Sequence, residues 1–104
     1  MTGWIVGVLL HLPGEIGPVR HFFAVGQDDR ARAEWKALDG AALIGHVATS
    51  PVGGLEPVHA ISALTDRSIR NLALKPGDVR NLGRRWPRRW IIPEPEPAPA
   101  GQGG

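Results

Sequence analysis

The residue types most able to do chemistry lie together near the carboxyl end of the chain. Residues 84–90 read Arg-Arg-Trp-Pro-Arg-Arg-Trp, which places four arginines and two tryptophans within seven positions. The candidate binding residues of this segment are Arg84, Arg85, Trp86, Arg88, Arg89 and Trp90. Residues 1–83 carry as many acidic as basic side chains, so these four arginines, less Glu94 and Glu96, account for the formal net charge of +2. A partner of opposite charge is therefore expected to dock here.

Pro87 predicts that this segment is extended or irregular and not helical, because proline lacks a backbone N–H and biases Trp86 away from helical geometry. Arginines that neutralise phosphates beside indoles that stack on bases are typical of single-stranded nucleic acid binding. An anionic membrane or protein surface is the alternative partner. A third interpretation is structural, in which Trp86 and Trp90 cover an open edge of the domain and the arginines discourage edge pairing.

Patterns typical of catalysis and metal binding are missing from the sequence. There is no cysteine, which excludes disulfides and thiolate metal sites. No two histidines are separated by two, three or four positions, the spacings that bring two ligands to one local face. Gly40 and Gly45 have the spacing of a phosphate-binding loop, but His46-Val47 follows where Lys-Ser/Thr is required. We therefore expect no cofactor, no metal and a non-catalytic binding or interaction module.

The amino-terminal half begins with a predicted hairpin. Residues 4–12 are apolar at both odd and even positions, which is typical of a strand buried on two faces, and residues 13–18 are rich in turn formers. Residues 19–25 then read as a second, antiparallel strand. If Leu12 lies opposite Val19, His11 and His21 fall on opposite faces of the sheet.

A helix is predicted to follow the hairpin. Asp28 is a suitable N-cap, and Ala31, Trp35 and Leu38 recur at spacings of four and three, which defines one apolar face. Asp39-Gly40 is predicted to end the helix, since glycine tolerates the left-handed exit. The side chains of this apolar face are expected to pack on the sheet.

The remaining elements complete the order β-β-α-β-β-α. Residues 41–47 are ambiguous between a third strand and a short buried helix, with the strand favoured, and residues 58–64 form another strand. Thr65 can cap a short helix that turns Ile69 and Leu72 inward, and Val79 with Leu82 continues as a final extended piece. This order predicts an α+β fold, with an antiparallel-rich or mixed sheet of about four strands covered by one or two helices.

The chain is predicted to form one domain over residues 1–92 and a disordered Pro/Glu/Gly-rich tail over residues 93–104. The apolar run at residues 4–10 has no preceding Lys or Arg and is too short to span a bilayer, so we expect a cytoplasmic protein without a transmembrane segment.

Two further interpretations concern the ends of the chain and the sheet. A tail ending in Gly103-Gly104 on a small β-β-α-β domain resembles the ubiquitin-like and sulfur-carrier β-grasp proteins. That resemblance implies a carrier whose terminal Gly104 is activated as an acyl adenylate. Separately, two apolar-faced strands in so small a domain favour a protein-interaction domain that pairs through an exposed sheet edge, with a homodimer as one form of that pairing.

Overall fold

The computed structural model describes residues 2–84, which form an α+β fold with one five-stranded sheet and two helices. The elements in chain order are β1 (Trp4–His11), β2 (Val19–Val25), α1 (Arg30–Ala42), β3 (His46–Val47), β4 (Val58–Ala63), α2 (Asp66–Asn71) and β5 (Val79–Gly83). The expected order is confirmed, and the extended piece at Val79 becomes a fifth strand. Residues 93–104, predicted to form the tail, lie outside the described residues.

Strand β1 is the centre of the sheet. It pairs with β2 along one edge and with β4 and then β3 along the other, while β5 pairs with the outer edge of β2. All of these pairings are antiparallel. Leu10 lies opposite Val19, so the predicted register, with Leu12 at that position, is wrong by two residues. A shift of two keeps each side chain on its face, and His11 and His21 do lie on opposite faces.

Helix α1 covers the first face of the sheet through alanines. Ala33, Ala37 and Ala41 recur at a spacing of four and are fully buried in a cluster with the even-numbered side chains of β1. The predicted apolar face was wrong for Ala31 and for Trp35, which is 70% exposed and points away from the sheet, whereas Leu38 packs partly against the cluster. The small alanines allow the helix to approach the strands closely, which a tryptophan in the same layer would prevent.

Both predicted ends of α1 were also wrong. Asp29, not Asp28, is the N-cap, and its carboxylate accepts a hydrogen bond from the Arg32 N–H at 2.9 Å. At the other end the helix continues through Gly40 to Ala42, so residues 41–47 contribute only the two-residue strand β3.

Asp28 ties the amino terminus to the start of α1 instead of capping the helix. Its Oδ1 accepts hydrogen bonds from the Thr2 N–H at 2.9 Å and the Thr2 hydroxyl at 2.6 Å, and its carbonyl accepts one from the Trp4 indole. The hydroxyl bond and then the backbone bond lower the pKa of the Asp28 carboxyl below its ordinary value.

Helix α2 covers only one end of the second face. Thr65 is its N-cap, and its hydroxyl accepts from the Ser68 N–H at 3.0 Å, as predicted. Ile69 and Leu72 are buried in a cluster with Ile5 of β1, which confirms the predicted inward face. The α2 cluster does not extend to the part of this face formed by the later residues of β1.

We expect a matched pair of glycine substitutions to have opposite effects. A Cβ at Gly45 would lie 2.8 Å from the His11 carbonyl oxygen and 2.6 Å from Leu12 Cδ2, so Gly45→Ala should lower stability by about 1–3 kcal/mol. A Cβ at Gly40 would lie close to Val79 Cγ1 only, at 3.1 Å. In a helix interior, alanine is more favourable than glycine by about 1 kcal/mol. Thermal denaturation of Gly40→Ala should therefore match or exceed wild type. A Gly45→Ala variant at least as stable as Gly40→Ala would contradict these contacts.

The Asp28 bonds predict a pH-dependent contribution to stability. Because the folded pKa lies below the unfolded value of about 3.9, the carboxylate stabilises the fold at neutral pH. That contribution is lost as the pH falls from about 4 through the folded pKa. Asp28→Ala should thus melt below wild type at pH 7, with a difference that shrinks in acid. Glu56→Ala, which removes an exposed carboxylate, serves as the control; a constant Asp28→Ala difference at all pH values would exclude the linkage.

Candidate functional site

A groove lies on the second face of the sheet, beside the cluster that α2 covers. It has a volume of about 370 Å³, and we call it the Arg20 groove. Its lining residues are Arg20 of β2, His59 and Ile61 of β4, and Gly54, Leu55 and Glu56 of the loop before β4. Strand β1 lies between β2 and β4, so the groove crosses the central strand.

Gly7 makes room for the cation of this groove. It lies in the middle of β1, opposite Phe22 on one side and His59 on the other. A Cβ at Gly7 would lie 2.5 Å from the Nε of Arg20 and 3.1 Å from its Cζ. The Arg20 guanidinium therefore occupies the space that any other residue at position 7 would fill. Its Cζ also lies 5.6 Å from the centre of the Phe22 ring, within reach of a cation–π contact.

The fold holds Arg20 without an acidic partner. Its Nε is buried and makes no hydrogen bond, and no carboxylate among residues 2–84 forms an ion pair with it, although Glu56 lines the same groove. Burial lowers the pKa of the guanidinium, because the charged form loses hydration. An N–H left without an acceptor costs about 1–3 kcal/mol. Nε faces Gly7, so an anion in the groove would meet the two terminal nitrogens of the guanidinium and not Nε.

Arg84 is the only predicted binding residue within the described part of the chain. It directly follows β5, and its guanidinium binds both carboxylate oxygens of Glu15, at 3.1 and 3.3 Å. The pair is partly exposed to solvent, so it contributes about 0–1 kcal/mol. The other residues of the predicted site, Arg85, Trp86, Arg88, Arg89 and Trp90, lie outside the described residues, as does Gly103-Gly104.

The Arg20 groove and the start of the basic segment lie beside the same strand. Gly83, the last residue of β5, is opposite Phe22, and Arg20 precedes Phe22 by two positions on β2. The Arg84–Glu15 pair then joins the end of β5 to the loop between β1 and β2. The chain therefore leaves the described fold alongside the half of β2 that carries Arg20.

The four histidines are separated into three environments. His11 and His46 are exposed and lie opposite each other in the β1–β3 pair, a juxtaposition that sequence spacing does not reveal. His59 lines the Arg20 groove, whereas His21 is buried on the α1 face with neither ring nitrogen hydrogen-bonded. No group of three or more metal-ligating side chains forms within residues 2–84.

Sequence reasoning missed Arg20, although the sequence held one signal for it. Gly7 interrupts a strand of large apolar residues, and a glycine inside a strand often marks the close approach of another group. The identity of that group depends on the register of β1 with β2, which the composition of neither strand determines.

Comparison with known proteins does not assign the chain to a family. No protein-family model, curated protein or solved structure matches the chain. Among residues 2–84, no helix is long and apolar enough to cross a membrane. What the chain binds must therefore be inferred from its own residues.

Proposed function

We propose that this protein is a non-catalytic module that binds single-stranded nucleic acid. The Arg20 groove and the basic segment of residues 84–90 would form one continuous binding surface. The observation that carries the proposal is Arg20, a partly buried cation that forms no ion pair with a carboxylate of residues 2–84 and lies on the strand that pairs with β5, where that segment begins.

Arg20 is well suited to hold a phosphate. A guanidinium presents several donors in a fixed plane and binds two phosphate oxygens at once. Gly7 and Phe22 already restrict this side chain, so binding an anion costs less side-chain entropy than it would at an exposed arginine.

The shape of the groove favours a nucleic acid strand over a membrane surface. Arg20 lies in a recess between β2, β4 and the loop of residues 54–56, and its volume of about 370 Å³ is within the range of small-ligand pockets. A single nucleotide can enter such a recess while its neighbours follow the chain toward residues 84–90. The arginines there would contact further phosphates, and Trp86 and Trp90 would stack on bases, at about 1–3 kcal/mol per base.

The expected result of removing the Arg20 charge is weaker binding with a smaller salt dependence. In fluorescence anisotropy with a labelled short single-stranded RNA, Arg20→Gln should raise Kd about tenfold, equivalent to about 1.4 kcal/mol. It should also reduce the slope of log K against log salt by about 0.7, the value for one phosphate on a single strand. Arg70→Gln, which removes an exposed charge from α2, is the matched control and should change Kd less than twofold.

Gly7→Ala distinguishes the effect of the position of the Arg20 guanidinium from the effect of the net charge of the protein. It keeps the net charge but places a Cβ where the Arg20 guanidinium lies, so it should weaken RNA binding as Arg20→Gln does.

Equal affinities of Arg20→Gln and Arg70→Gln for the RNA would exclude the groove as the binding site. Binding of the full chain to vesicles containing anionic lipid, or to an acidic polypeptide, without binding to RNA would instead favour the alternative anionic partners.

A further inference from the structure

Helix α1 carries a second apolar stripe, three of whose four members are exposed. Its members recur at spacings of four, three and four, and they are Ala31, Trp35, Leu38 and Ala42. The alanines Ala33, Ala37 and Ala41 pack on the sheet, so the second stripe faces away from it apart from the partial packing of Leu38. Trp35, at its centre, is 70% exposed. We call this surface the Trp35 stripe.

The spacing of the Trp35 stripe is that of a helix–helix seam. Apolar residues at alternate spacings of four and three form the a and d positions of paired helices. Tryptophan is also a residue type enriched among those that contribute most to binding energy at interfaces. A large aromatic side chain exposed on a rigid helix thus fits a contact surface better than it fits free solvent.

The charges beside the stripe identify which partner fits. Arg32 and Asp39 flank the same side of it, seven residues apart, and both are exposed. When two copies of α1 pack antiparallel about a two-fold axis, Arg32 of each copy comes beside Asp39 of the other. The same arrangement places Trp35 against Leu38 of the second copy, with the small Ala31 and Ala42 at the ends. The surface is therefore complementary to itself in shape and in charge.

We propose that two copies of this chain form a dimer by packing their α1 helices antiparallel along the Trp35 stripe. This dimer is distinct from one formed by sheet-edge pairing, and it does not depend on the proposed nucleic acid function. Helix α1 has 13 residues, which is about 20 Å, so a single helix pair gives a small interface. We expect a dissociation constant in the micromolar range.

Sedimentation velocity of the full chain over about 1–300 µM should show a shift from monomer to dimer. Trp35→Ala should remain monomeric over that range, because it removes the central contact of the stripe. Ile16→Ala, which truncates an exposed apolar side chain in the loop between β1 and β2, should dimerise as wild type does. Both variants should keep the backbone signal of the folded protein in far-UV circular dichroism, since neither side chain contributes to the core.

A charge exchange tests the antiparallel geometry. Arg32→Asp alone and Asp39→Arg alone should each be monomeric, because like charges would meet across the axis. An equimolar mixture of the two variants should form a heterodimer, since every flanking pair is then of opposite charge. Circular dichroism of each variant verifies that it is folded.

Three results would overturn the proposal. The first is a monomer at every concentration, and the second is a dimer that survives Trp35→Ala. The third is a mixture of the two charge variants that stays monomeric while both are folded. A dimer that formed only after truncation at Gly83 would indicate that the chain's own carboxyl-terminal residues cover the Trp35 stripe in the full chain.

Discussion

The burial of β1 on both of its faces is the constraint on which the rest of the structure depends. Ile5 and Leu9 face one side of the sheet, Val6, Val8 and Leu10 face the other, and all five are buried. Both edges of this strand are also hydrogen-bonded to neighbours. A strand of this kind is stable only when apolar groups cover it from two directions. The two helices on opposite faces are thus a consequence of β1.

The unequal length of those helices leaves space for a site. Helix α1 has 13 residues and follows the first face along the strands, whereas α2 has six and covers the second face only near Ile5. Farther along this face, Gly7 removes one side chain and the Arg20 guanidinium replaces it. The sheet therefore holds a cation by shape and not by a carboxylate. Within the fold, the cation–π contact with the Phe22 ring offsets part of the cost of its desolvation.

Local signals in the sequence predicted the fold well, and contacts between elements explain what was missed. Thr65 predicted its helix because a cap and its N–H partner lie three residues apart. The orientation of α1 was not predictable in the same way, because the helix has two apolar stripes and only the sheet selects the alanine stripe. For the same reason Arg20 could not be identified: its position over Gly7 depends on strand register. The predicted segment of residues 85–90 stays a prediction.

The two proposed surfaces lie on opposite sides of the sheet, and this arrangement determines how they would work together. The Trp35 stripe faces away from the first face, while the Arg20 groove lies on the second. A dimer through α1 would therefore direct its two grooves outward. The order of layers would be sheet, α1, α1 of the second copy and second sheet, with about 10 Å between successive layers. A short oligonucleotide could occupy only one groove at such a separation. Dimerisation would then leave affinity for short strands unchanged and increase it only for strands long enough to pass around the protein to both grooves.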